Sequence, residues 1–135
     1  MTQKLRNFYL ETQIKNATPG QGLIMLYNAL IDHAEQAEAA IASPANPDSL
    51  TLAARSVARC IDIMTELNRE LDHSVDPVLC RTLCSLYLFF TRELAEALEK
   101  KEPRRIRAIL PLLRELKEAW AEADRRSSRL QGLAA

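Results

Sequence analysis

The sequence predicts an all-α protein: an antiparallel, up-down four-helix bundle preceded by a short N-terminal arm or capping helix. Apolar residues make up 47% of the 135 residues but aromatic residues only 5%, so alanine and leucine supply most of the apolar surface, as helices favour. The chain has only 3 glycines, too few for the turns of a many-stranded sheet. Prolines and capping residues separate four stretches of helical periodicity.

The first two helices are delimited by capping residues and prolines. Thr18-Pro19 places a capping residue before a proline, so helix one is predicted to begin there and to end near Ser43. Its predicted inward face is Leu23, Tyr27, Leu30, Ala34, Ala37 and Ile41. Asp48 is the predicted cap of helix two, which is expected to end near Asp72. Its apolar stripe is Leu50, Ala53, Val57, Cys60, Met64, Leu67 and Leu71.

The last two helices also begin at prolines. Asp76-Pro77 opens helix three, which is predicted to end near Lys100. Its predicted inward face is Cys80, Leu83, Tyr87, Phe90, Leu94 and Ala97. Pro103 opens helix four, which is predicted to end near Arg126, with Pro111 causing a local kink. Its predicted inward face is Ile106, Ile109, Leu113, Leu116, Trp120 and Ala123.

These boundaries divide the chain into three parts. Residues 1–17 form the predicted N-terminal arm, residues 18–126 the bundle, and residues 127–135 a flexible tail. The connections between the helices are short, which makes neighbouring helices antiparallel. Tyr27, Tyr87, Phe90 and Trp120 are the large side chains predicted for the core.

Charge and cysteine content exclude several classes of protein. The 18 basic and 18 acidic residues cancel, so nothing in the net charge favours nucleic acid or an anionic membrane as a partner. No run of about 18 apolar residues is present to insert into a membrane. The first residues lack the apolar stretch of a secretory signal, and the 3 cysteines are an odd number. A cytoplasmic location with free thiols is therefore expected.

Metal-assisted chemistry is the strongest enzymatic alternative. Cys80 and Cys84 share one helical face, and Cys60 and His73 could approach them. All three cysteines fall on or beside the apolar stripes, however, which favours core packing over metal binding. A di-iron bundle needs a Glu-x-x-His motif on each of two helices, whereas the sequence has one such match, Glu70 to His73, and it also has no glycine-rich phosphate loop. We therefore predict no enzyme, no metal and no cofactor.

More apolar residues are present than one inward stripe per helix requires. The surplus residues are Met25, Leu26, Ile31, Leu52, Ile63, Leu86, Leu88, Phe89 and Leu112. One interpretation is a wide core that the arm completes. The other is a hydrophobic groove on helices two and three that receives a partner helix, with the arm as a lid. Both interpretations are compatible with the pattern.

Four segments, in order along the chain, resemble the flagellar export chaperone family FliS. YLETQIKNATPGQGLIMLYNALI (9–31) is similar to the family's tyrosine, Ala-Ser-Pro and Leu-Ile-x-Met-Leu-Tyr pattern. ELNRELD (66–72), LCSLYLFFTREL (83–94) and ILPLLRELKEAW (109–120) resemble the family's later motifs. The chain departs from the pattern at DPVLC (76–80), at Ala29, at Leu88 and Phe89, and at Pro111.

The resemblance implies a chaperone that binds the C-terminal segment of flagellin, prevents premature polymerisation and assists delivery to the export apparatus. It implies flagellin and a component of the flagellar export gate as partners, with a co-chaperone and a weak homo-oligomer left open. The partner-binding residues that we predict are Tyr9 and Ile14 in the arm and Leu26, Ile63, Leu86, Leu88 and Phe89 in the groove. The alternative is a generic helical adaptor or a homodimeric interaction protein.

Overall fold

Four helices make up nearly all of the part of the chain that the structure describes. The computed structural model describes residues 19–43 and 45–134. The helices are α1 (Pro19–Ala42), α2 (Ser49–Arg69), α3 (Pro77–Lys100) and α4 (Pro103–Ala134). The residues in these two ranges form no strand. The all-α class predicted from composition is therefore confirmed.

The helices pack as a bundle in which each one has two main neighbours. The most extensive packing joins α1 to α2 and α1 to α4, while α3 packs against α2 and α4. α1 and α4 are antiparallel. Glu38, late in α1, pairs with Arg107, early in α4, whereas Tyr27, earlier in α1, pairs with Trp120, later in α4. This arrangement is the predicted up-down bundle.

The predicted inward faces account for most of the core. Every residue predicted to face inward from α3 is buried. In α2, Leu50 at the beginning of the stripe is exposed and Leu71 lies after the end of the helix. In α4, Trp120 is half-buried and Ala123 is exposed. The core thus occupies the middle of the bundle and thins out toward its ends.

The buried arc of α1 is wider than its sequence indicates. Leu26 and Ile31 were predicted to be surplus, but they are only 3% and 7% exposed and belong to the core. The reason is that α1 packs against α2 on one side and α4 on the other. A helix with two close neighbours buries more than a single stripe.

Two of the predicted helix starts differ in how they are capped. Asp76 behaves as predicted, since its carboxylate accepts a hydrogen bond of 3.0 Å from the Leu79 backbone N–H. Asp48 precedes α2, but its side chain makes no capping hydrogen bond. Its own backbone N–H instead donates to the Asn46 side chain at 3.0 Å. Thr18, the predicted cap of helix one, lies outside the described residues.

Two helix ends differ from the prediction. α2 ends at Arg69, and Asp72 instead forms a turn in which its carboxylate accepts hydrogen bonds from the Ser74 backbone N–H and hydroxyl. α4 continues through the exposed Pro111 and past Arg126 to Ala134. The predicted end of helix four is therefore wrong, while the mobility of the final segment stays a prediction.

The beginning of α1 lies very close to α4. A Cβ added at Gly20 would overlap the carboxylate of Asp124, so this position requires glycine unless Asp124 moves. The contact places a negative charge beside the first turn of α1, where the helix dipole favours it. The glycine that weakens the helix locally thus permits close packing of α1 on α4.

Three aromatic side chains form a hydrogen-bonded chain that links three helices. The hydroxyls of Tyr27 on α1 and Tyr87 on α3 lie 2.5 Å apart, and the Trp120 indole N–H on α4 donates to the Tyr27 hydroxyl at 3.3 Å. Burial raises the pKa of both tyrosines. Tyr27 is the central member, because it contacts both of the others.

The central position of Tyr27 predicts unequal effects for two similar substitutions. Tyr87→Phe removes one hydrogen bond and should lower the free energy of unfolding by about 1 kcal/mol. Tyr27→Phe leaves both the Tyr87 hydroxyl and the Trp120 N–H without their partner and should cost about 2–4 kcal/mol. Urea unfolding followed by circular dichroism measures both. Equal costs would contradict a central role for Tyr27.

The turn between α3 and α4 predicts a stabilising substitution. Lys101 follows α3 with φ 57°, in the left-handed region, and its backbone N–H donates to the Ala97 carbonyl. Lys101→Gly should raise the free energy of unfolding by about 1 kcal/mol, because glycine adopts this conformation without strain. Lys100→Gly, one residue earlier inside the helix, should lower it by about 1 kcal/mol. Thermal melts of the two variants should therefore shift in opposite directions.

Candidate functional site

The cysteines of the bundle have separate environments. Cys60 is buried in the core, and its thiol donates to the Leu30 carbonyl at 3.7 Å. The Cys84 thiol donates to the Asn68 side chain at 2.8 Å on the α2 side of α3. Within residues 19–43 and 45–134, no group of three or more His, Cys, Asp and Glu side chains could hold a metal ion. The thiol-ligated site considered from the sequence is therefore not assembled among these residues.

Exposed apolar side chains are the feature of the surface that suits binding. The large hydrophobic residues exposed in the described part of the chain are Leu50, Leu52, Val75, Val78, Leu79, Leu88, Phe89, Leu112 and Leu130. The core beneath them is already closed, since Tyr87, Phe90 and Leu94 are almost fully buried. These exposed residues are therefore available to contact another molecule.

A shallow apolar groove runs between α3 and α4. It has a volume of about 190 Å³ and is lined by Leu86, Phe90, Leu112, Glu115 and Leu116. Phe89 is not one of these lining residues, but it follows Leu86 by three residues on the same side of α3, and its ring contacts the Phe90 ring at a tilt of 55° with the centroids 5.7 Å apart. Phe89 is 43% exposed and Leu112 is 39% exposed. We call these five lining residues together with Phe89 the α3–α4 groove.

The structure brings two of the predicted partner-binding residues together and separates a third. Leu86 and Phe89 lie at the α3–α4 groove, one helical turn apart on α3. Leu88 is 52% exposed, but one residue along a helix rotates the side chain by about 100°. It therefore turns away from α4, toward the side of α3 on which Thr91 contacts Met64 of α2.

The other predicted residues lie elsewhere or outside the described part. Ile63 is half-buried on α2 and packs against the core. Leu26 is buried in α1 and lines a cavity at the end of the bundle. Tyr9 and Ile14 lie outside the described residues. The five groove residues predicted from helices one to three thus do not form one continuous surface.

The contribution of α4 to this surface does not follow from the sequence. Leu112 is one of the surplus apolar residues in the sequence but not one of the predicted partner-binding residues, and Leu116 belongs to the predicted inward face. The two are four residues apart, so they lie on one face of α4 opposite Leu86. The register between α3 and α4, which comes from the short turn at Lys101, was needed to place them there.

None of the described helices is both long enough and apolar enough to span a membrane.

Comparison with known proteins identifies the family. A model of the family of the flagellar protein FliS matches residues 1–127. The chain belongs to the FliS family. The flagellar secretion chaperone FliS of Vibrio cholerae is 22% identical over 118 residues, which cover 87% of this chain and 84% of that protein. The flagellar secretion chaperone FliS of Bacillus subtilis is 24% identical over 115 residues, covering 85% and 82%.

The family assignment confirms the resemblance seen in the four sequence segments. Because the match extends across nearly the whole chain, it includes α1 to α3, the α3–α4 groove and residues 1–18. The identity is low, so the groove residues themselves are not carried over from the relatives. The role of each side chain has to come from the geometry of this chain.

Thiol reactivity tests the environments of the cysteines. Burial raises the pKa of the Cys60 thiol to about 12, so almost no thiolate forms at pH 8 in the folded chain. Iodoacetamide at pH 8 should label half-buried Cys84 first and Cys60 only after unfolding, as read by peptide mass spectrometry. The pKa of Cys60 in the folded chain lies above the unfolded value of about 8.5. The contribution of the neutral, buried thiol to the free energy of unfolding is therefore complete below about pH 8.5 and is lost as the pH rises toward 12. Rapid labelling of Cys60 in native protein would contradict its place in the core.

Proposed function

We propose that this chain is a cytoplasmic flagellar secretion chaperone that binds the C-terminal segment of flagellin. In this proposal it prevents premature polymerisation and assists delivery of flagellin to the export apparatus. Membership of the FliS family supports the flagellar role. The α3–α4 groove supports the binding of an apolar segment and is the observation on which the proposal depends.

The groove offers apolar contacts of the kind that an amphipathic helix buries on binding. Leu86 and Phe89 on α3 and Leu112 and Leu116 on α4 supply paired apolar walls at helical spacing. An export substrate with an unfolded, amphipathic terminal segment would bury its apolar face there and become ordered on binding. The free energy of burial drives this step, so the chaperone needs no catalytic residue.

The size of the groove limits how much affinity it provides. Complete burial of a leucine or phenylalanine contributes about 1.5–3 kcal/mol. Phe89 and Leu112 are about four-tenths exposed, so covering each of them contributes roughly 1 kcal/mol. Micromolar affinity requires about 8 kcal/mol. A flagellin segment must therefore contact further surface of the chaperone.

Residues 1–18 are a second region that the proposal involves. Tyr9 and Ile14 are apolar positions in this segment, which leads into α1. We propose that they contact either the export gate or the apolar surface of the bundle. In the alternative function, a generic adaptor or homodimer, the same groove would bind another copy of the chain.

A substitution in the groove tests the proposal. Phe89→Asp places a charge beside the apolar walls and should weaken binding of a flagellin C-terminal peptide at least tenfold in isothermal titration calorimetry. The helix content should be unchanged, because Phe89 is not part of the core. Leu52→Asp is the matched control, since Leu52 is similarly exposed, at 49%, but lies on α2. It should bind as the wild type does.

Two results would count against the proposal. Absence of heat and of a complex in size-exclusion chromatography with the wild-type chain would reject flagellin as the partner. A tight dimer in light scattering, whose mass does not change when the flagellin peptide is added, would favour the generic adaptor or homodimer.

A further inference from the structure

A second apolar surface lies at the end of the bundle where α1 begins. It is a cavity of about 600 Å³ with walls from all four helices and from the loop between α2 and α3. Its deep part is formed by Leu67, Leu83 and Tyr87, which are buried. Its lip carries Val75 and Leu79, which are 79% and 45% exposed. We call this feature the end cavity.

The end cavity continues the α3–α4 groove. Leu83 lines the cavity and Leu86, three residues later on α3, lines the groove. On α4, Leu116 lines the groove and Trp120, four residues later, lines the cavity. The two surfaces are therefore one helical turn, about 5.4 Å, apart along the seam between α3 and α4. One extended or helical segment could contact both.

The charge at the cavity lip has one sign. Glu70, Asp72 and Asp76 are the charged residues that line it, and none of the described lining residues is Lys, Arg or His. The carboxylates of Asp72 and Asp76 accept hydrogen bonds from neutral donors, which leave their negative charge in place. The pKa of the neighbouring Cys80 thiol is raised, first by desolvation, then by Cys84, and after these by the negative charges of Asp76 and Asp72.

The deep part of the cavity also carries a tyrosine hydroxyl, that of Tyr87. A single hydrogen bond joins the Tyr27 and Tyr87 hydroxyls, so it uses only one of their two protons. The Trp120 N–H supplies its own proton to Tyr27. Among the described residues, no acceptor takes the remaining phenolic proton. When Tyr27 is the donor in their shared hydrogen bond, this proton belongs to Tyr87, which lines the cavity, and a backbone carbonyl of a bound segment could accept it.

We propose that the end cavity binds the partner segment through a large apolar side chain that enters it and a neighbouring Lys or Arg that meets the acidic lip. This inference rests on the proposed function, because it assigns a second contact area to the same partner. It accounts for the affinity that the α3–α4 groove alone does not provide. The occupant that the surface fits is thus an amphipathic segment with basic residues beside its apolar face.

Trp120 gives a direct readout, because it lines the cavity and is the only tryptophan in the chain. A tryptophan-free flagellin C-terminal peptide is titrated into the full-length chain while acrylamide quenching of Trp120 fluorescence is measured. The quenching constant should fall at least twofold on saturation. Calorimetry of the same mixture measures binding independently of the cavity.

Matched variants assign the effect to the cavity. Leu79→Glu adds a charge at the lip and should weaken peptide binding at least tenfold. Val78→Glu, at the adjacent exposed residue that does not line the cavity, should bind as the wild type does. Asp72→Asn should weaken binding about two- to fivefold and reduce its salt dependence, whereas Glu99→Gln, near the far end of α3, should not.

The outcomes separate this inference from the proposed function. Binding heat with unchanged Trp120 quenching and wild-type affinity for Leu79→Glu would overturn the inference and leave the proposed function standing. No binding heat would overturn both. Two other occupants are also excluded by the expected result. Protection of Trp120 that depends on chaperone concentration alone would indicate a second copy. The chain's own first residues would be the occupant if Phe8→Ser makes Trp120 more accessible to acrylamide in the absence of peptide and the peptide does not restore its protection.

Discussion

The packing of α1 between α2 and α4 is the constraint on which the rest of the bundle depends. It buries Leu26 and Ile31, which one inward stripe would have left outside. It also places Tyr27 where its hydroxyl contacts both Tyr87 on α3 and Trp120 on α4. With α1 fixed in this way, α3 is held mainly by its own inward face. The opposite side of α3 is left free to display apolar residues.

Because the inward face of α3 completes the core, the opposite side of the helix can carry exposed phenylalanine and leucine. The core of α3 is complete without Phe89 or Leu88, so neither is retained to stabilise the fold. A large exposed apolar surface is costly in a soluble monomer because it promotes association. Here part of that surface forms the α3–α4 groove and part forms the end cavity, whereas Leu88 lies on another side of α3. Flanking charges such as Glu115 in the groove and Asp72 at the cavity lip interrupt the apolar area.

The sequence predicts the elements of this fold well where local chemistry decides them. Asp76-Pro77 marks the start of α3, and the spacing of its apolar residues identifies the buried face completely. It predicts less where tertiary contacts decide. The buried arc of α1 depends on which helices flank it. The Asp48 carboxylate makes no capping hydrogen bond because its backbone is in the helical region, with φ −86° and ψ −8°, rather than in the extended conformation of a capping residue. The end of α4 was missed because no strong breaker follows Arg126.

The candidate site shows the same limit. Leu86 and Phe89 were found because they fall outside the inward stripe, but Leu88 was grouped with them although it points to another side of the helix. Leu112 and Leu116 required the register of α4 against α3. The end cavity was not predicted at all, since its wall combines the beginning of α1, the α2–α3 loop and Trp120. The periodicity of one helix cannot predict which segments distant in sequence come together in the folded chain.

Under the proposed function, two weak binding surfaces suit a chaperone that must also release the segment it binds. If one segment occupies both the groove and the end cavity, binding at the first raises the effective concentration at the second. Affinity then exceeds what either surface provides, yet each contact is small enough to break separately. Release can begin at one end and proceed one helical turn at a time along the α3–α4 seam. A single deep pocket of the same total affinity would have to be vacated in one step, with a correspondingly slower dissociation rate.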